Sequence, residues 1–379
     1  MRLLHTSDWH LGMMRSQTAT YREDQQAFID EICGVIARER VDAVLLSGDV
    51  YDTGVSRAEA LGMFDAACRA ICGELGCRLI VIAGNHDSGS RLAQHSALLA
   101  RTGLYIAGSL TLPVNPISLA EDVTVWPVPY FVREEAAALF PDGEKPESQE
   151  AAMRAVTDSI RARLRPGFNI VMAHAYVTGA PLGQSDRAAQ VGFSDAVSRE
   201  VFDGFDYVAL GHIHRPYAVP GTDGRVRYSG SPMQYAFDEE GQVKGCVLLD
   251  TQTGAQSFIP LPPLHGRRTL EGPWAWVTDP ATAQSAQNCY VRVRVTDREK
   301  SLPMRSELLA LYPDLLQFQG ALHEGEGGAS LTAAELEDLG DIPLMKRFLK
   351  EIYALEPDAR QTRMFERALQ DAMGGGDPA

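Results

Sequence analysis

No C-x-x-C pair occurs among the six cysteines, Cys33, Cys68, Cys72, Cys77, Cys246 and Cys289. That pairing is the mark of thiolate zinc sites and dithiol redox centres, so neither is expected to organise the chain. Cys68 and Cys72 fall one helical turn apart and read as core thiols. No apolar run reaches the roughly 20 residues that span a bilayer. The chain opens on a strand-like run and not on a basic segment followed by an apolar one, so no secretory leader is expected. Reduced thiols and a cytoplasmic setting follow. Positive charge is scarce: 35 Lys and Arg against 50 Asp and Glu leave a net charge of −15. This excludes a protein that coats nucleic acid electrostatically, but not one that grips phosphate through metals and a local basic patch. Internal repeats are lacking. What is present is ordinary for a globular chain, 45% hydrophobic and 22% charged over 379 residues, a length that predicts two or three domains.

Apolar runs end abruptly in polar residues five times. Residues 2–6 lead into Asp8-Trp9-His10, 41–46 into Ser47-Gly48-Asp49, and 78–83 into Gly84-Asn85-His86-Asp87. Further on, 168–173 leads into His174, and 205–210 into Gly211-His212-Ile213-His214. Such runs read as strands delivering side chains to a sheet edge. Between them, 21–39 has a helical stripe (Phe28, Ile29, Ile32, Val35, Ile36), and Ser56 with Glu59 predicts a capping box opening a second helix. A further helix is predicted over 148–164, a mobile loop over 175–192, and strands over 226–229, 245–250 and 255–261. The opening β-α-β-α-β alternation predicts an α/β fold with a parallel sheet covered by helices.

Ligands in such sheets bind at the carboxyl ends of the strands. Five of the nine histidines fall there: His10, His86, His174, His212 and His214. Asp8, Asp49 and Asn85 accompany them. Gly48, Gly84 and Gly211 each precede a candidate ligand, where backbone must come close without a Cβ. Two carboxylates, an amide and several imidazoles suit Mn²⁺ or Fe²⁺, with Zn²⁺ also compatible. Seven ligands are too many for one ion but serve two ions about 3.5–4 Å apart. Asp49, the only ligand from its strand, is the natural bridge. Such a pair suits phosphoester hydrolysis, with a nearby imidazole to stabilise the transition state or protonate the leaving oxygen.

The order D-x-H, GD, GNHD, a lone H and GHIH resembles the calcineurin-like metallophosphoesterase superfamily over the first two-thirds of the chain. HTSDWHLG, SGDVYDTG, AGNHDS, FDGFDYVALGHIHRP and YSGSPMQYAFDE are similar to the signatures of its DNA-repair nuclease branch. The resemblance implies a two-sheet sandwich flanked by helices. It implies two Mn²⁺ per chain, the first held by Asp8, His10 and His214, the second by Asn85, His174 and His212, with Asp49 between them. His86 would be the catalytic histidine. Archaeal and eukaryotic relatives carry a second histidine three residues after the bridge; here Asp52 stands there, open between catalysis, helix N-capping and surface solvation. The resemblance also implies homodimerisation through segments around 56–71 and 91–101, although Leu61, Phe64, Cys68 and Ile71 read equally well as internal core.

Beyond Pro260 and Pro262-Pro263 the character changes. We expect a nuclease domain over 1–264, a small α+β accessory domain over 265–324, and a linker with C-terminal helices over 325–379. Residues 288–296 alternate as a strand, Cys289, Val291, Val293 and Val295 inward, Arg292 and Arg294 outward. Arg267, Arg268, Arg292 and Arg294 are candidate DNA phosphate contacts, although a solvated surface explains any one of them. The GEGG linker at 325–328 and amphipathic helices over 342–355 and 360–373 predict docking onto another protein, which the resemblance implies is an SMC-like ATPase. The expected activity is DNA phosphodiester hydrolysis in repair, recombination and replication, as a duplex 3′–5′ exonuclease and single-strand endonuclease. The competing readings are a small-molecule phosphodiesterase or phosphatase, a scaffold without metals, and a DNA-binding module without chemistry.

Overall fold

The computed structural model describes residues 1–16, 19–140, 145–183, 196–298 and 302–321, then 342–343, 346, 358, 360–365 and 367. The chain forms two units, Met1–Arg268 with Asn288–Tyr290, and Thr269–Gln287 with Val291–Ala379.

The first unit is an α/β sandwich of two mixed sheets. Strands β1 (Arg2–Thr6), β2 (Ala43–Ser47), β3 (Arg78–Ile82) and β4 (Leu104–Ala107) run parallel in that order. The second sheet is built from β5 (Ile117–Ala120), β6 (Val123–Val128), β7 (Phe168–His174), β8 (Tyr207–Gly211), β9 (Tyr217–Ala218) and β10 (Val226–Tyr228), in the order β5-β6-β7-β8-β10-β9. Two further strands, β11 (Gly245–Asp250) and β12 (Gln256–Pro260), return to the first sheet and extend it antiparallel beyond β1.

Period-two burial holds the sheets together. Ile170 and Met172 on β7 face a core shared with Leu3, Leu45, Ile80 and Ile82 of the other sheet. Their neighbours Val171 and Ala173 face the opposite way, onto Met153, Val156 and Ile160. Those three lie on the helix Gln149–Arg161, which Ser148 caps by accepting from the Ala151 amide at 3.1 Å. Each fully buried aliphatic side chain contributes about 1.5–3 kcal/mol. The first helix, Arg22–Glu39, buries the stripe read from the sequence.

The expected capping box at Ser56 and Glu59 is not formed. The helix begins at Ala58 after Arg57. Ser56 Oγ instead donates to the Thr53 carbonyl at 3.1 Å, and Glu59 pairs with Arg22 at 3.1 Å. The loop after β2 closes on itself, and the helix starts one residue too late for Ser56 to stand at its N-cap. The 91–101 segment is two short turns, Gly89–Leu92 and Ser96–Leu99, divided by His95 at φ 63. Residues 184–192 of the expected mobile loop lie outside the described residues.

In the second unit, β14 (Cys289–Val295) pairs parallel with β15 (Leu315–Gln319), and β13 (Gly266–Gly272) completes a three-stranded sheet. The first residues of β13 and β14 group with the first unit. The simple alternation fails at one point: Tyr290 and Val291 are both buried and Cys289 is half-buried. Tyr290 is covered on the other face, where its hydroxyl donates to Asp24 and its ring packs on Tyr21. The register shift falls in β15 at Leu316 and leaves Val291, Val293 and Val295 inward. The linker at 325–328 and most of the C-terminal helices lie outside the described residues; Arg360 to Phe365 are helical. No described helix is long and apolar enough to cross a membrane.

Candidate metal centre

The strand ends of β1, β2, β3, β7 and β8 converge. Asp8, His10 and His214 bring one ligand atom each within 4.8 Å of one another, as do Asp8, Asp49 and His174, and also His10, Asp49 and His86. Asp49 and Asp8 each take part in two of these groups. Asp49 Oδ2 lies 3.6 Å from His10 Nε2 and 3.4 Å from His174 Nε2, between the two. Asn85 Oδ1 faces His174 Nε2 at 2.9 Å and His212 Nδ1 at 3.1 Å. All seven expected ligands therefore meet in one place.

Backbone geometry makes this convergence possible. Asp8 (φ 55), His10 (φ 43), Asp49 (φ 50) and His212 (φ 102) all occupy the left-handed region. Each such residue costs on the order of 1–3 kcal/mol and persists only where its surroundings over-determine it. Here the β1 and β2 loops are stitched together: Asp8 N donates to Gly48 O (3.0 Å) and His10 N to Asp49 O (2.9 Å). The glycines are required by contact. A Cβ on Gly48 would lie 2.2 Å from His174 Nδ1, and one on Gly84 would lie 2.1 Å from Asp49 Oδ1.

The ring nitrogens are sorted by their partners. His174 Nδ1 donates to the Ser47 carbonyl at 2.9 Å, which leaves Nε2 for the centre. His214 Nδ1 meets Glu239 Oε1 at 3.1 Å, and Glu239 pairs in turn with the buried Lys244 ammonium at 3.0 Å. Carboxylate support of this kind fixes tautomer and ring orientation in metal-ligating histidines. His86 Nδ1 donates to the Asp52 carbonyl at 2.8 Å, while its backbone N–H donates to Asp49 Oδ1 at 2.9 Å. Asp87 accepts from the amides of Gly84, Val50 and Tyr51 at 2.9, 3.1 and 2.9 Å, tying the β3 loop to the β2 loop.

Electrostatics follow burial. His10 is pushed well below its usual pKa by burial, and His212 is pushed down to about 3 by burial and the His174 charge. Both are neutral, as metal ligation requires. Burial works against the Asp49 carboxylate, but the imidazoles of His174, His10 and His86 outweigh it and keep it ionised. Burial also opposes the His174 cation, yet Asp49 and Asp8 raise this histidine to about 9.

The donors fit a pair of divalent ions. They are all nitrogen or oxygen. His10 Nε2 and His214 Nε2 face each other at 3.1 Å, an approach that suits a shared cation better than two imidazoles alone. His10 Nδ1 is buried with no hydrogen-bond partner.

Other expected residues fall elsewhere. Arg267 is not a surface cation. It is 5% exposed, donates to Tyr21 Oη at 2.6 Å and to the Gln234 carbonyl at 3.1 Å, and stacks over Tyr21, Phe237 and Tyr290. Its planar guanidinium is taken up in packing, which removes it from the candidate DNA contacts. Arg268 is exposed. Arg292 is half-buried against Thr269, and Arg294 reaches Glu271 and Gln319. N-capping by Asp52 is excluded, because Arg57 occupies that position; the Asp52 side chain instead lies 3.7 Å from His10 Nδ1. The sequence reading missed Glu239 and Lys244. Glu239 lies inside the YSGSPMQYAFDE signature, which was the one available signal.

Two family models match the chain: Calcineurin-like phosphoesterase over residues 1–216, and Type 5 capsule protein repressor C-terminal domain over residues 267–353. A curated relative, the SbcD component of the nuclease SbcCD from Staphylococcus epidermidis, is 27% identical over 355 residues, 93% of this chain and 93% of the relative. Among solved structures, TT1561 of Thermus thermophilus aligns at 13% identity and TM-score 0.41, covering 69% of this chain and 99% of that one. A dimetal phosphatase from Danio rerio aligns at 15% identity and TM-score 0.35, covering 60% and 86%.

Proposed function

The chain belongs to the calcineurin-like phosphoesterase family, and on that premise we propose that it is a manganese-dependent DNA nuclease, the counterpart of SbcD in an SbcCD-type complex. The observation that carries this is the meeting of Asp8, His10, Asp49, Asn85, His174, His212 and His214 at one set of strand ends. When bound, two divalent ions supply Lewis-acid activation of water and of the phosphoryl oxygens. Asp8, His10 and His214 would hold one and Asn85, His174 and His212 the other, with Asp49 shared.

The remaining chemistry belongs to the chain. His86 is half-buried and reachable, and its Nδ1–H is anchored on the Asp52 carbonyl. Its Nε2 is then the nitrogen left to face a scissile phosphate and protonate the leaving oxygen. Asp52, where archaeal and eukaryotic relatives carry a histidine, thus acts through its main chain as a positioning residue. The finer activities we assign are duplex 3′–5′ exonuclease and single-strand endonuclease, in a cytoplasmic repair assembly with an SbcC-type SMC-like ATPase held by the C-terminal helices.

Homodimerisation is assigned to the face that carries Leu61 (49% exposed) and Leu98 (67% exposed), beside a cavity of about 790 Å³ lined by Phe64, Cys68, Leu92 and Leu99. The second family match, over residues 267–353, favours a nuclease over a small-molecule phosphatase, which needs no such addition. The test is purified protein with Mn²⁺, given end-labelled duplex, single-stranded DNA and a generic phosphodiester in parallel. Cleavage of both DNAs supports the reading; hydrolysis of the generic ester alone selects the small-molecule alternative.

A further inference from the structure

A second cavity, of about 500 Å³, opens beside the metal centre at the ends of β3, β4 and β6. It falls in the roughly 300–1,000 Å³ range of small-ligand sites. Asn85 is both one of its walls and a candidate metal ligand, so a group held at the centre extends into it. Its construction is specific. Gly89 and Gly108 meet backbone to backbone, and a Cβ on either would lie 1.9 Å from the other's carbonyl oxygen. The lining combines apolar surface with carboxylates: Leu110 and Val132 beside the half-buried Tyr130 ring, with Asp87 and Glu135 on the wall. Tyr130 stands edge-on to His174, its centroid 6.3 Å away, and its backbone is fixed by a 2.8 Å bond from its N–H to the Ala83 carbonyl.

We propose that this cavity receives one unstacked nucleobase of the strand being cleaved, packed against Tyr130. The proposal rests on the DNA-nuclease reading above. The exposed Glu135 carboxylate disfavours a phosphate in the cavity, whereas a base is flat and uncharged. Glu135 already accepts from the Val132 amide at 3.2 Å, and its remaining lone pairs suit the exocyclic N–H of a base. Aromatic stacking binds bases with little regard to sequence, so the site orients the strand without selecting it. A base must leave the stack to enter, which favours frayed ends and single strands.

The test uses the full chain loaded with Mn²⁺ and a labelled single strand carrying one abasic site, moved stepwise past the cleaved bond. For the wild type, KM rises about tenfold when the base is missing at one position beside that bond, the scale of one lost stacking contact. Tyr130→Ala shows that rise on the intact strand and no further rise when the same base is absent; Tyr130→Phe behaves as wild type. Full additivity between Tyr130→Ala and the missing base, or equal sensitivity at every position, overturns the proposal. If Tyr130→Ala loses metal or fails to fold, Val132→Trp fills the cavity from its rim and must give the same positional pattern, or the proposal falls. A wild type that cleaves no DNA overturns the nuclease reading itself, whereas cleavage indifferent to the missing base overturns only the cavity.

Discussion

The two halves of the proposed metal centre are held by different means. The Asp8, His10 and His214 half has its own carboxylate and is backed by a buried ion pair, Glu239 with Lys244, both about 2–3% exposed at the side chain. The Asn85, His174 and His212 half has no carboxylate of its own: an amide oxygen and the Ser47 carbonyl take the equivalent places. Charge support favours tight cation binding in the first half, while neutral donors leave the second more dependent on the shared Asp49. On the proposed assignment, paired sites that look symmetric as a ligand count are predicted to differ in affinity.

Removing the shared group gives the largest expected effect. Asp49→Ala should empty both halves, with a rate loss on the order of 10³ or more, since several kcal/mol of charge stabilisation goes with the ions. Metal analysis by mass spectrometry checks it; one retained equivalent would show that a half stands without the bridge. Next is His86→Ala, which should keep both ions and the fold and lose roughly 10²-fold or more in rate. Metal depletion like that of Asp49→Ala would make His86 a ligand, as its grouping with His10 and Asp49 allows.

The contrast between halves is addressed most directly by Glu239→Gln combined with Lys244→Met, which removes the ion pair without orphaning a buried ammonium. Titration calorimetry should show one Mn²⁺ site weakened about 10–100-fold and the other unchanged. Equal weakening of both would break the asymmetry. Metal identity sharpens it: the imidazole-rich donor set predicts restoration after chelation by Mn²⁺ far better than by Mg²⁺, which prefers oxygen ligands and keeps its waters. Full activity in Mg²⁺ alone after rigorous stripping would contradict this.

The smallest effect comes from a histidine outside the centre. His5 on β1 is buried against Tyr207 Oη (2.9 Å) and the Leu210 carbonyl (3.1 Å), and burial pushes it down to about 3. The unfolded chain takes up this proton near pH 6.5 and the folded chain does not until about 3, so stability falls as pH drops below 6.5. By pH 5 the loss is about 2 kcal/mol. His5→Gln should flatten that slope in urea titrations at pH 7 and 5; an unchanged slope would assign the acid sensitivity to the centre instead.

Much of this was legible in the sequence, because strand periodicity and the residue after each strand are local signals. β1, β2, β3, β7 and β8 and the convergence of the side chains at their ends were readable, as was the need for Gly48 and Gly84. What was not legible depends on partners distant in the chain. Glu239 reaches His214 from 25 residues away, and its pairing with Lys244 has no spacing signature. Arg267 reads as a surface cation until Tyr21, 246 residues earlier, closes over it. The capping box at Ser56 failed because the loop after β2 sets the helix start at Ala58 and puts Arg57 at the N-cap. The burial of Tyr290 comes from Asp24, 266 residues earlier, and leaves no mark in the alternation of its own strand.

The left-handed backbone at Asp8, His10, Asp49 and His212 has a consequence for descent. Glycine or asparagine at these four positions would relieve backbone strain, at the cost of side-chain bonds such as those Asp8 and Asp49 accept from the His212 and His86 amides. Selection for abundance or heat tolerance alone would therefore reward the loss of the centre while the sandwich stayed intact. A lineage released from its catalytic duty should lose these side chains early, ahead of its core. Copies that retain all four are under continuing selection for cleavage, and that pattern can be counted in genomes without any assay.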